Sequence, residues 1–90
     1  MKDRRSRIRT EILTQLYGYR PGVRPAERIA RLARMDGEFD SLSESEIKAE
    51  AEYLIGRGLV EAVPNPLARF ETAYRITSAG IDYAEGEGIV

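Results

Sequence analysis

The sequence predicts an α+β fold: a three-helix core, a C-terminal β-hairpin and a short final helix. Three observations point there. Helical periodicity ends at Gly56-Arg57-Gly58 and gives way at once to a strand-like run, Leu59-Val60-Glu61-Ala62-Val63. A proline-rich turn, Pro64-Asn65-Pro66, separates that run from a second one, Tyr74-Arg75-Ile76. Thr77 or Ser78 then offers a helix N-cap ahead of Ile81 and Ala84.

The first helix is expected over residues 6–19. Ile8, Ile12, Leu13, Leu16 and Tyr17 recur at the spacing of one helical face. Arg4, Arg5, Arg7 and Arg9 precede it or sit in its first turn, where positive charge opposes the helix dipole. They are poor helix-stabilising choices, which suggests another use such as phosphate contact; residues 1–7 read as a basic arm. Gly18-Tyr19-Arg20-Pro21-Gly22 breaks the helix. Val23-Arg24 can form a short strand before the second helix, Pro25–Met35. That helix buries Ala26, Ile29, Ala30, Leu32 and Ala33. Arg24, Arg28, Arg31 and Arg34 form a stripe along its other side, with Glu27 in reach of Arg31.

A turn at residues 36–41 carries Phe39 as a core anchor. Ser43 and Glu46 then form a capping box, flanked by Leu42 and Ile47 as a hydrophobic staple. The third helix buries Ile47, Ala51, Leu54 and Ile55, and Gly56 or Gly58 ends it in the left-handed conformation. Phe70, Tyr74 and Ile76 belong to the second hairpin strand. Pro64 and Pro66 cannot donate to a ladder, so they are expected in the loop. Residues 86–90 read as a frayed tail.

Ninety residues make a single domain, expected to span 1–90. The chain has no Cys and no His, which removes disulfides, Cys/His zinc sites and Cys- or His-based nucleophiles. No apolar run approaches the roughly 20 residues that cross a bilayer. A soluble, cytoplasmic protein without cofactor, metal or membrane partner is expected. The net charge of −1 hides an asymmetry. Residues 1–34 hold ten Lys/Arg and three Asp/Glu, and the rest hold four and twelve. The basic third suits a polyanion, or it lies against the acidic remainder.

Two segments carry a resemblance: Leu54-Ile55-Gly56-Arg57-Gly58-Leu59-Val60-Glu61 and Tyr74-Arg75-Ile76-Thr77-Ser78-Ala79-Gly80. They resemble the MarR- and PadR-type transcriptional regulators, winged helix-turn-helix proteins. There the first segment ends the recognition helix and begins the wing; the second leaves the wing for a closing helix. The resemblance implies binding to double-stranded DNA, with the third helix in the major groove and the wing on phosphate or the minor groove. It places Ser45, Lys48, Ala49, Glu52 and Tyr53 toward the groove and Arg69 at the wing's edge. The expected DNA-binding residues are therefore Arg4, Arg5, Arg24, Arg28, Arg31, Ser45, Lys48, Tyr53 and Arg69.

One feature departs from that pattern. Glu44, Glu46, Glu50 and Glu52 make the third helix acidic, whereas DNA affinity rests largely on Lys and Arg neutralising phosphates. An alternative is a protein-interaction domain that uses the acidic helix, through a homodimer or a basic partner. An enzyme is not expected. Asp36, Glu38 and Asp40 cluster in a turn without the spacing of a calcium loop. Gly56 and Gly58 follow a helix, which is wrong for a phosphate-binding loop.

Overall fold

The computed structural model describes residues 3–37, 39–65 and 71–90. The elements run α1 (Arg4–Gly18), β1 (Arg24–Pro25), α2 (Ala26–Met35), α3 (Glu44–Gly56), β2 (Val60–Pro64), β3 (Thr72–Ile76) and α4 (Ser78–Gly86). This is the α+β, winged helix-turn-helix order. The hairpin strands pair antiparallel, from Val60 opposite Ile76 to Pro64 opposite Thr72. The short β1 adds to the far edge of β3, Arg24 opposite Tyr74, giving the sheet order β1-β3-β2.

The helical periodicities bury most of what they predict; Leu32 is only half-buried and lies outside the core, and Tyr17 and Ile55 pack half-buried against it. Ile8, Ile12, Leu13 and Leu16 of α1 meet Ile29, Ala30 and Ala33 of α2 and Ile47, Ala51 and Leu54 of α3. Leu59, Val60, Tyr74 and Ile76 close this core from the sheet side, and Phe39 and Leu42 plug it from the loop before α3. Each fully buried Leu or Ile contributes about 1.5–3 kcal/mol of transfer free energy, so these side chains dominate the stability of so small a domain.

The helix ends are chemically specified. The Ser43 hydroxyl accepts from the Glu46 amide at 3.1 Å, and the Glu46 carboxylate accepts from the Ser43 amide at 3.1 Å, closing the capping box. At the other end Gly58 adopts φ 77°, a conformation a Cβ resists. This lets the Leu59 amide reach the Leu54 carbonyl and the Gly58 amide reach the Ile55 carbonyl. The chain therefore turns from α3 into β2 through residues 57–59 alone. Thr77 caps α4, accepting from the Gly80 amide at 3.0 Å. Gly80 itself lies under the sheet: a Cβ there would stand 2.0 Å from the Leu59 carbonyl oxygen.

Four details differ from the sequence-based expectations. Helix α1 begins at Arg4, so Arg4, Arg5 and Arg7 are helical and not part of an arm. Asp3 is its N-cap, accepting from the Ser6 amide at 2.8 Å, and its carboxylate offsets the dipole problem posed by the arginines. Pro25 serves as N-cap of α2 and pairs with Ala73, so that helix starts one residue later. Pro64 is the last residue of β2, a strand end at the sheet's edge, where a missing donor costs little. The tail is not frayed: the Ile89 amide donates to the Ala84 carbonyl, and the Ile89 side chain packs on the core.

Candidate nucleic-acid interface

Helix α3 has three faces, set by which residues recur at three- and four-residue spacing. Ile47, Ala51 and Leu54 face the core. Glu46, Glu50, Tyr53 and Arg57 form a stripe turned toward α1 and α4. Glu44, Lys48 and Glu52, with Ser45 and Ala49 beside them, face outward and toward the sheet.

The α1-facing stripe is an ion-pair seam. Arg4 binds Glu46 through Nε at 2.7 Å and Nη2 at 3.2 Å, and its Nη2 also donates to the Ser41 carbonyl. The paired guanidinium and the Ser43 amide hold the Glu46 carboxyl down at about 2. Arg5 and Arg9 share one carboxylate, Glu50, at 3.3 Å and 2.7 Å. Glu50 is only 6% exposed, so it is a buried charge with two cationic partners. Arg9 also stacks on the Tyr53 ring, 3.5 Å from its centroid, and Arg57 stacks on Tyr83 at 5.0 Å. Donation to Tyr83 raises the Arg57 pKa.

The other two regions flank the base of the hairpin. One groove of about 290 Å³ runs between α3 and the sheet, lined by Glu44, Lys48 and Glu52 on one wall and Glu71 and Thr72 on the other. Pro25, Ala26 and Tyr74 form its floor. Lys48 lies 3.5 Å from Glu44. A second groove, of about 530 Å³, gathers Tyr19, Arg24, Arg28, Arg31 and Asn65 around β1 and the exposed side of α2. Arg24 stacks on Tyr19 at 4.4 Å and donates to the Gln15 side-chain carbonyl at 3.0 Å. Its Nε is buried without a hydrogen-bond partner, and burial, then the neighbouring charge of Arg28, lowers its pKa. Arg31 faces Glu27 at 3.7 Å. The grooves share Pro25, and the Asn65 amide donating to Glu71 at 3.1 Å stands between them.

The residues expected at a DNA surface thus occupy separate places. Arg4 and Arg5 pair with the acids of α3. Tyr53 sits under Arg9. Ser45 and Lys48 are exposed on the outward face of α3, and Arg24, Arg28 and Arg31 share the groove beside α2. Arg69 lies outside the described residues. Sequence reasoning missed Glu50 as the anchor of Arg5 and Arg9. The spacing Arg5, Arg9 on one helix and Glu46, Glu50 on another was a signal, since both are four-residue steps beside a core face. It also missed Tyr74 and Glu71 as parts of the groove beside α3. No group of His, Cys, Asp and Glu suited to a metal ion occurs among the described residues, and no described helix is long and apolar enough to cross a membrane.

No family model and no curated protein sequence matches this chain. Solved structures share its fold. A transcriptional regulator from Clostridium thermocellum superposes with a TM-score of 0.76 at 24% identity, over 93% of this chain and 79% of that one. A PadR family transcription regulator from Clostridium difficile gives 0.73 at 19% identity, over 90% and 82%. Bacillus subtilis PadR, solved in complex with operator DNA, gives 0.72 at 21% identity, over 91% of this chain and 47% of PadR. The chain spans about half the length of that protein, and likewise of Lactococcus lactis ZitR, at 49%. At these identities the likeness is one of fold.

Proposed function

We propose that the chain is a winged helix protein that binds double-stranded DNA and acts in transcriptional regulation. The observation that carries this reading is the outward face of α3. Ser45, Lys48 and Ala49 are exposed there beside the hairpin and contribute nothing to the core. The same architecture has been solved on operator DNA in PadR. In this reading α3 enters the major groove, where Lys48 donates to guanine O6 or N7 and Ser45 to either base type. Arg28 and Arg31 of α2 hold the phosphate backbone. The acidity of α3 obstructs less than its composition suggests, because Glu46 and Glu50 already carry arginines on the opposite stripe.

The test is fluorescence polarisation with a labelled mixed-sequence duplex at low salt. Micromolar binding that weakens in Arg28→Ala and Lys48→Ala, and is retained in Arg5→Ala, supports the reading. Absence of binding at tens of micromolar protein overturns it.

A second reading is a protein-interaction domain. The observation favouring it is the remaining acid of α3: Glu44 and Glu52, with Glu71 facing them, surround a single Lys48. A basic protein segment would dock there. Head-to-tail pairing of two copies is less favoured, since the basic first helix is occupied by its own α3. Light scattering at two salt concentrations reports on this: a salt-insensitive monomer counts against self-pairing.

A further inference from the structure

The groove between α3 and the sheet contains a polar group that the fold itself leaves unused. Tyr74 is 3% exposed, and its ring packs in the core. Its hydroxyl has no hydrogen-bond partner among the described residues. It is also not sealed in, because among the described residues Arg24 Nε alone is a buried side-chain atom left unpartnered. Tyr74 lines the groove together with Glu44 and Glu52, and burial, then the charges of Glu52 and Glu44, raise its pKa. A buried hydroxyl open to a groove normally finds a partner. The described residues supply none, so the phenol is open to whatever enters the groove.

The groove's chemistry defines what would supply it. Its walls carry Glu44, Glu52 and Glu71 against Lys48, a net of −2 from three acids and one base. Lys48 lies near Glu44, and Asn65 donates to Glu71, so among these three Glu52 is the carboxylate with neither an ion pair nor a side-chain hydrogen bond among the described residues. Pro25 and Ala26 give the floor an apolar strip. The carboxylates are too spread to count as a metal-ligating cluster. The volume, about 290 Å³, sits at the small end of ligand pockets.

We propose that this groove is a binding site for a small organic cation: a primary ammonium on a short apolar stem. The ammonium donates to Glu52, to the Tyr74 hydroxyl and to Glu71, and the stem lies on Pro25 and Ala26. The three N–H donors of an ammonium match two carboxylates and one phenol oxygen, which no permanently alkylated cation can do. The site is independent of whether the chain binds DNA.

The probe is n-butylammonium chloride, titrated into the ¹⁵N-labelled full chain and followed by amide chemical shifts. Sodium chloride and tetramethylammonium chloride at equal ionic strength are the controls. A ligand of about five non-hydrogen atoms is expected to saturate with a Kd on the order of millimolar. The shifts should centre on Glu52, Thr72 and Tyr74. Glu52→Gln should weaken binding roughly tenfold, and Tyr74→Phe severalfold with no loss of melting temperature, since the hydroxyl makes no bond within the fold. Shifts that never saturate, that tetramethylammonium reproduces, or that survive both substitutions would overturn the site. Saturation by an acetylated lysine tripeptide without any by butylammonium would overturn the small-molecule assignment.

Discussion

Glu50 is the point at which the basic and acidic parts of the chain meet, and its removal has a calculable cost. Its side chain is 7% exposed and accepts from Arg9 at 2.7 Å and from Arg5 at 3.3 Å. The two arginines are not equivalent. Arg9 is 21% exposed and Arg5 is 70% exposed, so solvent screens the second pair much more. A hydrogen bond to a charged, nearly buried partner contributes about 1.5–3 kcal/mol, and an exposed pair under about 1 kcal/mol. Glu50→Gln keeps the volume and one acceptor but removes the charge, so a loss of about 1–2 kcal/mol is expected. For a domain of this size each kcal/mol shifts the melting temperature by about 4–8 °C, giving a fall of roughly 5–15 °C. Arg9→Met should cost at least as much, because it leaves a buried carboxylate with only the more exposed Arg5 and removes the stacking on Tyr53. The double variant Arg9→Met, Glu50→Leu should cost less than the sum of Arg9→Met and Glu50→Leu alone, with a coupling of about 1–2 kcal/mol. Thermal and urea unfolding followed by circular dichroism measure all four proteins. If Glu50→Gln melts within about 2 °C of wild type and the cycle is additive, the seam holds nothing together and the reasoning is refuted.

Other expectations follow from single sites. Gly80→Ala drives a Cβ to 2.0 Å from the Leu59 carbonyl oxygen and 2.7 Å from Ile76 Cγ1, so α4 must shift off the sheet. The expected loss is about 1–3 kcal/mol despite the better helix propensity of Ala, and an unchanged urea midpoint would contradict it. Glu46 is held near 2 by Arg4 and Ser43, below its ordinary 4.5, so its contribution is present above about pH 4.5 and lost as pH falls toward 2. Full linkage would be about 3 kcal/mol, but the side chain is 37% exposed, so screening leaves about 1 kcal/mol. Urea midpoints between pH 6 and pH 2 should show a drop that is smaller in Arg4→Ala. Lys48→Gln should weaken binding to duplex DNA and reduce the salt slope by about one, whereas uniform affinity would remove Lys48 from the interface.

Much of the fold was legible because its signals are local. The capping box at Ser43 and Glu46, the glycine end of α3 and the Thr77 cap each act within four residues, and each is present. The Asp3 cap was equally local but was obscured by the arginines that follow it. The candidate site was less legible, for a physical reason. Arg9 and Glu50 are 41 residues apart, and Arg4 and Glu46 are 42 apart. Helical spacing shows that each belongs to a stripe, but not which stripe faces which; that depends on how α1 crosses α3. The arginines therefore read as phosphate ligands when most of the first-turn charge is spent inside the molecule. The groove beside α3 was invisible for the same reason, since Tyr74 reaches it from a strand that the periodicity assigns simply to the core.

The salt dependence of duplex binding tests the central claim most directly. With Arg4, Arg5 and Arg9 held by Glu46 and Glu50, the cations that the proposed reading sets against the duplex are Arg28, Arg31 and Lys48. At about 0.9 per phosphate contact, a plot of log K against log salt should have a slope of about −3 per chain. A slope near −6 would mean that the first-helix arginines leave their carboxylates for DNA, and no binding at low salt would mean that the fold is used for something other than DNA.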